Sequence, residues 1–417
     1  GASTSLGSLD WQAVVVSDGS TVTTMVAGRG YFVNNSSAAG IVKLPASASR
    51  GDTVAIKDYA GNFGTNSLTI QRNGHNIQGV ANNSEIGTNR ASVFMVYIDS
   101  TKGWLFTNES NVGDLEAGSY IGATGGTVTT SGDFKIHTFT GDGNFVVSSV
   151  GNPGGGGAGV SYLVIAGGAS GGTRTSGGNG GGGGAGGYRE GKNSGDPYTA
   201  SPLNAPAGLT VSAQTYPITV GAGGSAPGDA IAQGNTGSNS VFSTITSAGG
   251  GKGGVSDPGN SNNVSAGNGG SGGGASFGPG PKAQNFGYGN TPPVSPPQGQ
   301  NGGQGRSSNT VSSGAGGGAG GVGTSADGTD AGDGGPGVAS VITGSSVTRG
   351  GGGGGASETI PEGDAGPGGG GKGKFVNGPT ANMNGTANTG GGGGGGYCSQ
   401  GGTGGSGVVI IRYKYQN

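Results

Sequence analysis

The chain has 417 residues, of which 109 are glycine and 10% are charged, with a formal net charge of −2. That balance supplies no basic surface for nucleic acid or an anionic membrane. A single cysteine, Cys398, rules out an internal disulfide, and with two distant histidines it makes no zinc cluster. No apolar run approaches the roughly 18–20 residues of a bilayer-spanning helix.

Glycine is unevenly placed, with 21 in residues 1–150 and 88 in residues 151–417. Residues 1–112 read as an all-β module, a small sandwich or barrel. WQAVVV (11–16), GYFVNN (30–35), IVKL (41–44), TVAIKD (53–58), SLTIQR (67–72), SVFMVYID (92–99) and KGWLFT (102–107) are short and rich in β-branched or aromatic residues. Asn73-Gly74 is a good hairpin-turn pair. Residues 113–131 read as a polar connector, and residues 132–417 as a glycine-rich domain anchored by strands. FKIHTFT (134–140), the turn GDGN and FVVSS (145–149) predict a hairpin. SYLVIA (161–166), YPITV (216–220), SVFSTIT (240–246), VASVIT (338–343) and GVVIIRYKY (407–415) predict further strands, each abutting a glycine block.

The glycine blocks keep a period. In SGGNGGGGGAGGYRE, Ser176, Asn179, Gly182, Ala185 and Tyr188 stand three apart, and Ser170 and Thr173 extend the series backward. The same spacing recurs at Tyr397, Gln400, Thr403 and Ser406. An α-helix would give 3.6 and a strand 2, whereas three residues per turn is the period of a polyproline-II type helix. Such a helix makes no internal hydrogen bonds, so buried copies must bond to one another, and glycine lets the backbones approach closely enough. The expectation is a bundle of polyglycine-II helices with the third position of each turn on the rim. A rod over 176–188 then carries Ser176, Asn179, Ala185 and Tyr188 on one edge and ends at Tyr188-Arg189-Glu190. The alternative for this composition is a disordered low-complexity segment.

The frame GDFKIHTFTGDGNFVVSS…SYLVIAGGASGG…YPITVGAGG…GSNSVFSTITSAGGGKGG…GGTGGSGVVIIRYKY resembles the glycine-rich domain of bacteriophage tail-fibre and adhesin proteins. The frame GYFVNNSSAAGIVKLPASASRGDTVAIKDYAGNFGTNSLTIQRNGHNI…VFMVYIDSTKGWLF resembles a β module of fibre proteins of marine, especially cyanobacterial, tailed phages. The resemblance implies a virion protein of the tail or a fibre, a homotrimer, assembled with other virion tail or fibre proteins. It also implies that loops at the ends of the glycine helices contact a host cell-surface receptor, an outer-membrane protein or a polysaccharide. The chain departs from full tail fibres in lacking long shaft repeats, which suggests a short fibre or a tip piece.

No catalytic constellation stands out. GPGGGGKG (366–373) is close to a phosphate-binding loop, but Gly373 replaces the Ser or Thr that would hold Mg²⁺ and no helix pattern follows. His75 and His137 have no nucleophile or carboxylate at a catalytic spacing. Asp327, Asp330 and Asp333 share one edge of a three-fold helix, about 9 Å apart. That spacing reads as a solvated acidic edge rather than a calcium site. No catalytic residue, cofactor or metal is therefore expected. Recognition must come from aromatic interruptions of the glycine, because glycine helices offer little side-chain surface. The candidate receptor contacts are Tyr188, Arg189 and Tyr198; Phe277, Phe286 and Tyr288; and Phe375 and Met383. The reading is a non-catalytic fibre adhesin, with a purely structural virion fibre or decoration subunit as the alternative.

Overall fold

The computed structural model describes residues 9–107, 118–228, 231–256, 265–276, 285–306, 311–380 and 382–416. Among these the chain is all-β, and it divides into two compact units. One comprises residues 1–120 and 151–157, the other 121–150 and 158–417.

The first unit contains β1 (Asp10–Trp11), β2 (Val15–Val16), β3 (Val22–Thr24), β4 (Arg29–Asn34), β5 (Gly40–Lys43), β6 (Thr53–Asp58), β7 (Leu68–Gln71), β8 (Ser84–Ile86), β9 (Ser92–Asp99) and β10 (Gly103–Phe106). Successive strands alternate between two sheets. β2, β4 and β6 stack in parallel in one, and β3, β5 and β7 in the other. The chain thus winds as a parallel coil, closed at one end by antiparallel β8 and by antiparallel β9 and β10. β5 and β7 alternate buried and half-buried residues, the period-2 pattern of a strand with one face on a core. The inward faces share that core: Val33, Ile56 and Met95 from one sheet meet Val42, Leu68 and Ile70 from the other. Asn73 and Gly74 both take positive φ (49° and 91°), and His75 N–H donates to Arg72 O at 3.1 Å, the tight turn their pairing predicts.

The second unit contains β11 (Gly122–Thr124), β12 (Thr127–Ser131), β13 (Phe134–Phe139), β14 (Gly143–Ser149), β15 (Gly159–Ile165), β16 (Thr173–Asn179), β17 (Tyr188–Gly191), β18 (Asn204–Ala205), β19 (Leu209–Thr210) and β20 (Thr215–Thr219). It continues with β21 (Ile231–Ala232), β22 (Ser240–Phe242), β23 (Ile245–Ser247), β24 (Val338–Ser340), β25 (Val347–Arg349), β26 (Tyr397–Ser399) and β27 (Val408–Lys414). Two expectations fail here. β11 and β12 fall in the supposed connector, yet they pair with β14 and β13. The strands of the supposed 134–149 hairpin do not pair with each other: β13 joins β12 and β27, whereas β14 joins β11 and β20. Their inward faces pack into a shared core instead, with Phe139, Phe145, Phe242 and Tyr413 among its members.

Between the strands the glycine segments form three-fold rods, and the hydrogen bonds show it directly. The N–H groups of Gly180, Gly183 and Gly186 donate to the oxygens of Gly396, Gly393 and Gly390. Those of Gly181, Gly184 and Gly187 donate to Gly254, Gly251 and Ala248, and those of Gly182 and Ala185 to Gly314 and Gly317. Every third residue thus faces the same neighbour, displaced by three. The carbonyls of the rod repeat the pattern toward three more segments. Gly180 and Gly183 accept from Ala356 and Gly353, Gly181 and Gly184 from Gly172 and Ala169, and Gly182 and Ala185 from Gly274 and Ser271. The rod over 180–187 therefore lies at the centre of six neighbours.

This position corrects the expected rim. A Cβ on Gly182 would sit 2.0 Å from Gly353 O, one on Gly183 2.3 Å from Ala169 O, and one on Gly184 2.3 Å from Ser271 O. All three faces of the turn are closed, and Ala185 is itself fully buried. The rod also begins at Gly180 rather than residue 176, because 173–179 is strand. Asn179 does not stand on an edge: it is buried, and its Nδ2 donates to Val311 O (2.6 Å) and Ala356 O (3.2 Å).

Candidate functional site

The rods give the second unit two ends. At one, Gly187 runs straight into β17, which pairs with β15 in the seven-stranded sheet beside β27. At the other, the turns between rods gather around β16, β21 and β26, a three-stranded sheet of its own. The candidate residues divide between these ends.

Tyr188 and Tyr198 belong to the sheet end and are buried, at 1% and 6% exposure. They are corrected as recognition residues, because their rings pack with Ile136, Leu163 and Ile410 and cannot reach a ligand. Their hydroxyls donate to the buried carboxylate of Glu190 at 3.1 and 3.0 Å, which also accepts from Ser201 N–H (3.0 Å) and Ser340 Oγ (2.7 Å). Burial, then the charge of Glu190, pushes both phenols well above the ordinary tyrosine range and keeps them protonated as donors. Next to them Arg412 Nε meets Asp196 at 2.9 Å, with both side chains nearly inaccessible, and the guanidinium lies 4.5 Å from the Phe134 ring centroid. Ser161 Oγ donates to the same carboxylate at 2.9 Å. The loop 192–203 is therefore clamped over the sheet. Arg189 is half-buried and donates from Nη1 to Thr246 O at 3.3 Å.

Phe277 lies outside the described residues. Phe286 and Tyr288 form a tilted pair, centroids 5.4 Å apart, on the flank of a rod, with Tyr288 59% exposed. The proline-rich stretch after them lies at the sheet end. Asn290 Oδ1 accepts from Val294 and Gln298 N–H, and Gln298 O accepts from Tyr188 N–H. Phe375 is half-buried at the far end.

Met383 is buried, at 5% exposure, and sits in a far-end cleft of about 290 Å³ with Thr380, Asn384, Ser399, Gln400, Gly401 and Gly402. The cleft joins the segments 380–384 and 399–402, on either side of the glycine block 390–396. Thr403 N–H donates to Asn384 Oδ1 (2.9 Å), Gly402 N–H to Gly394 O (2.8 Å) and Gly394 N–H to Met383 O (2.8 Å). Sequence reasoning found Met383 but missed Thr380, Asn384, Ser399 and Gln400. Ser399 and Gln400 lie inside the period-three series 397–406, which marked them only as rod positions, and Thr380 and Asn384 flank Met383 with no signal of their own.

Among the described residues no group of three or more His, Cys, Asp or Glu is placed to hold a metal ion. Asp327 Oδ1 instead accepts from Thr329 N–H, Thr329 Oγ1 and Asp330 N–H within its own turn. Lys372 Nζ bridges Glu362 (3.2 Å) and Asp364 (3.1 Å) beside it.

Strands at one end, a hydrogen-bonded glycine lattice between, and turns at the other define a glycine-rich all-β protein. The sequence profile of the family described as "Glycine-rich domain" matches residues 158–414, more than half of the chain, and the chain belongs to that family. No curated protein matches it.

Proposed function

We propose that the chain is a non-catalytic virion protein, a tail-fibre adhesin that recognises the host cell surface through the far end of its glycine unit. One observation carries this reading. The lattice holds its central rod from six sides and offers little side-chain surface, so its far-end turns are what it is built to hold out. The sequence frames resembling phage fibre proteins suggest the setting, a tailed phage of marine, especially cyanobacterial, hosts, and imply a homotrimer. The full chain should sediment at three times the 39.2 kDa of one copy.

The test is binding of the fluorescently labelled full chain to cyanobacterial envelope preparations. Binding that an excess of unlabelled chain displaces is the expected result. A folded chain that binds none of the preparations would sink the adhesin reading and favour a structural fibre or decoration subunit. With Tyr188 and Tyr198 buried, the reading places contact first at the flank pair Phe286 and Tyr288 and at the far-end cleft, and Arg189, Phe277 and Phe375 stay candidates beside them.

A further inference from the structure

We infer that the far-end cleft lined by Thr380, Met383, Asn384, Ser399 and Gln400 binds a single uncharged sugar unit of a cell-surface glycan. The inference rests on the adhesin reading and names the chemistry of its ligand. The volume, about 290 Å³, lies just under the roughly 300–1,000 Å³ range of small-molecule pockets, so one ring fits and a chain of residues does not.

The lining decides the class. Every polar side chain in it is a hydroxyl or a carboxamide, and none is charged. The nearest lysines along the chain are already engaged. Lys372 is held by Glu362 and Asp364, and Lys374 Nζ donates to Gly378 O. A phosphate, sulfate or acidic sugar would find no free cation there, and a cationic ligand no carboxylate. Hydroxyls and carboxamides both donate and accept, which matches the vicinal hydroxyls of a neutral sugar. Asn384 Oδ1 is occupied by Thr403 N–H, which fixes the carboxamide and leaves Nδ2 as the donor. The side chains of Thr380 and Gln400 make no hydrogen bond to other described residues, so their groups are available to a ligand. Met383 adds the apolar contact that a sugar's C–H face requires. The walls are preformed: Gly401 N–H donates to Thr173 Oγ1 (3.0 Å), and Gly402 and Met383 are tied to the lattice through Gly394. Little ordering remains to be done on binding.

The experiment is saturation-transfer NMR on the full chain with the methyl glycosides of glucose, galactose, mannose and N-acetylglucosamine, and with N-acetylneuraminic acid as the charged comparison. Saturation should reach at least one neutral glycoside and leave the acidic sugar untouched. Asn384→Ala should weaken that binding about tenfold. Because Asn384 also holds Thr403, Gln400→Glu is the second variant: it removes no internal bond and should weaken binding by a similar factor at an unchanged unfolding temperature. Silence from all four neutral glycosides, a response from N-acetylneuraminic acid alone, or undiminished binding by Gln400→Glu overturns the inference. Envelope binding that persists alongside any of these results leaves the adhesin reading standing. Loss of envelope binding in a folded wild-type chain sinks that reading whatever the glycosides do.

Discussion

At the residue scale the lattice turns on the absence of Cβ. Gly183 donates to Gly393 O, accepts from Gly353 N–H, and would bring a Cβ within 2.3 Å of Ala169 O and 2.8 Å of Ala169 C. Both are backbone atoms, so nothing flexible can yield. Overpacking of this kind costs about 1–3 kcal/mol, and a broken buried hydrogen bond adds about 1–3. Gly183→Ala should therefore destabilise the glycine unit by about 3 kcal/mol or more in a denaturant titration. Gly228→Ala, at a position with nothing within 4 Å and no positive φ, should change stability by less than about 0.5 kcal/mol. Equal midpoints for the two variants would contradict the closed lattice. Asn179→Ala reverses the expectation for an exposed edge. It removes two buried side-chain hydrogen bonds, although Val311 O keeps Glu358 N–H and Ala356 O keeps Ser313 N–H, and it should cost about 1–2 kcal/mol in the same titration. The period of three was legible in the sequence, but which rod lies at the centre was not. That depends on partners such as Gly393 and Gly353, more than a hundred residues away, and no local spacing encodes them.

At the scale of elements, strands were legible and their pairings were not. The composition of TVAIKD and SVFMVYID places β6 and β9 to the residue, because β-branched and aromatic runs suit a half-buried pleat. SVFSTIT reads as one strand but folds as a hairpin, with Ser243 at φ 53° between β22 and β23, a turn without the usual glycine or asparagine. In β13, His137 shows what the sheet requires. Gly125 O can only accept, so Nδ1 carries the proton and donates at 2.6 Å, and Nε2 is left to accept from Tyr413 Oη at 3.0 Å. Burial pushes its pKa below the ordinary value of 6.5; the Gly125 bond opposes the shift and Lys135 reinforces it. With the folded value depressed, the unfolded chain binds more protons, so stability is fully present above about pH 6.5 and is lost as pH falls toward the folded value. Unfolding midpoints of the second unit measured from pH 7.5 to 5 should decline. His137→Gln should flatten that decline, and an unchanged slope would show that another group titrates. The clamp over the sheet gives a stronger effect. Asp196→Ala leaves Arg412 buried and unpaired, which should cost about 3–5 kcal/mol by thermal or chemical unfolding.

At the scale of the whole molecule, the two units differ in how their stability is distributed. In the first, each strand of the coil bonds to strands one turn away, and the core is apolar side chains. In the second, the strands share apolar cores of their own, and the glycine rods are held by a mesh of main-chain bonds among segments far apart in sequence. Glycine loses more conformational entropy on folding than any other residue, so one rod alone has nothing to hold it. Removing one neighbour from 180–187 would orphan N–H or C=O groups on both partners, and each orphan costs about 1–3 kcal/mol. The mesh should therefore open as a block. Native-state hydrogen exchange reads this directly, since amides freed by local opening exchange faster than those freed only by global unfolding. The amides of Gly183, Gly353 and Gly393, which belong to three distant segments, should share one opening free energy equal to that of the glycine unit. Amides of the far-end turn around Thr329 and Asp330, held only by the Asp327 side chain, should exchange with far lower protection. The denaturant dependence sharpens the test: the rod amides should show the full m-value of the unit, and the turn amides almost none. If protection instead decayed separately along each segment, with Gly353 and Gly393 opening while Gly183 stayed closed, the rods would be independent elements. The far-end cleft, whose walls hang on Gly394, would then have no rigid platform beneath it.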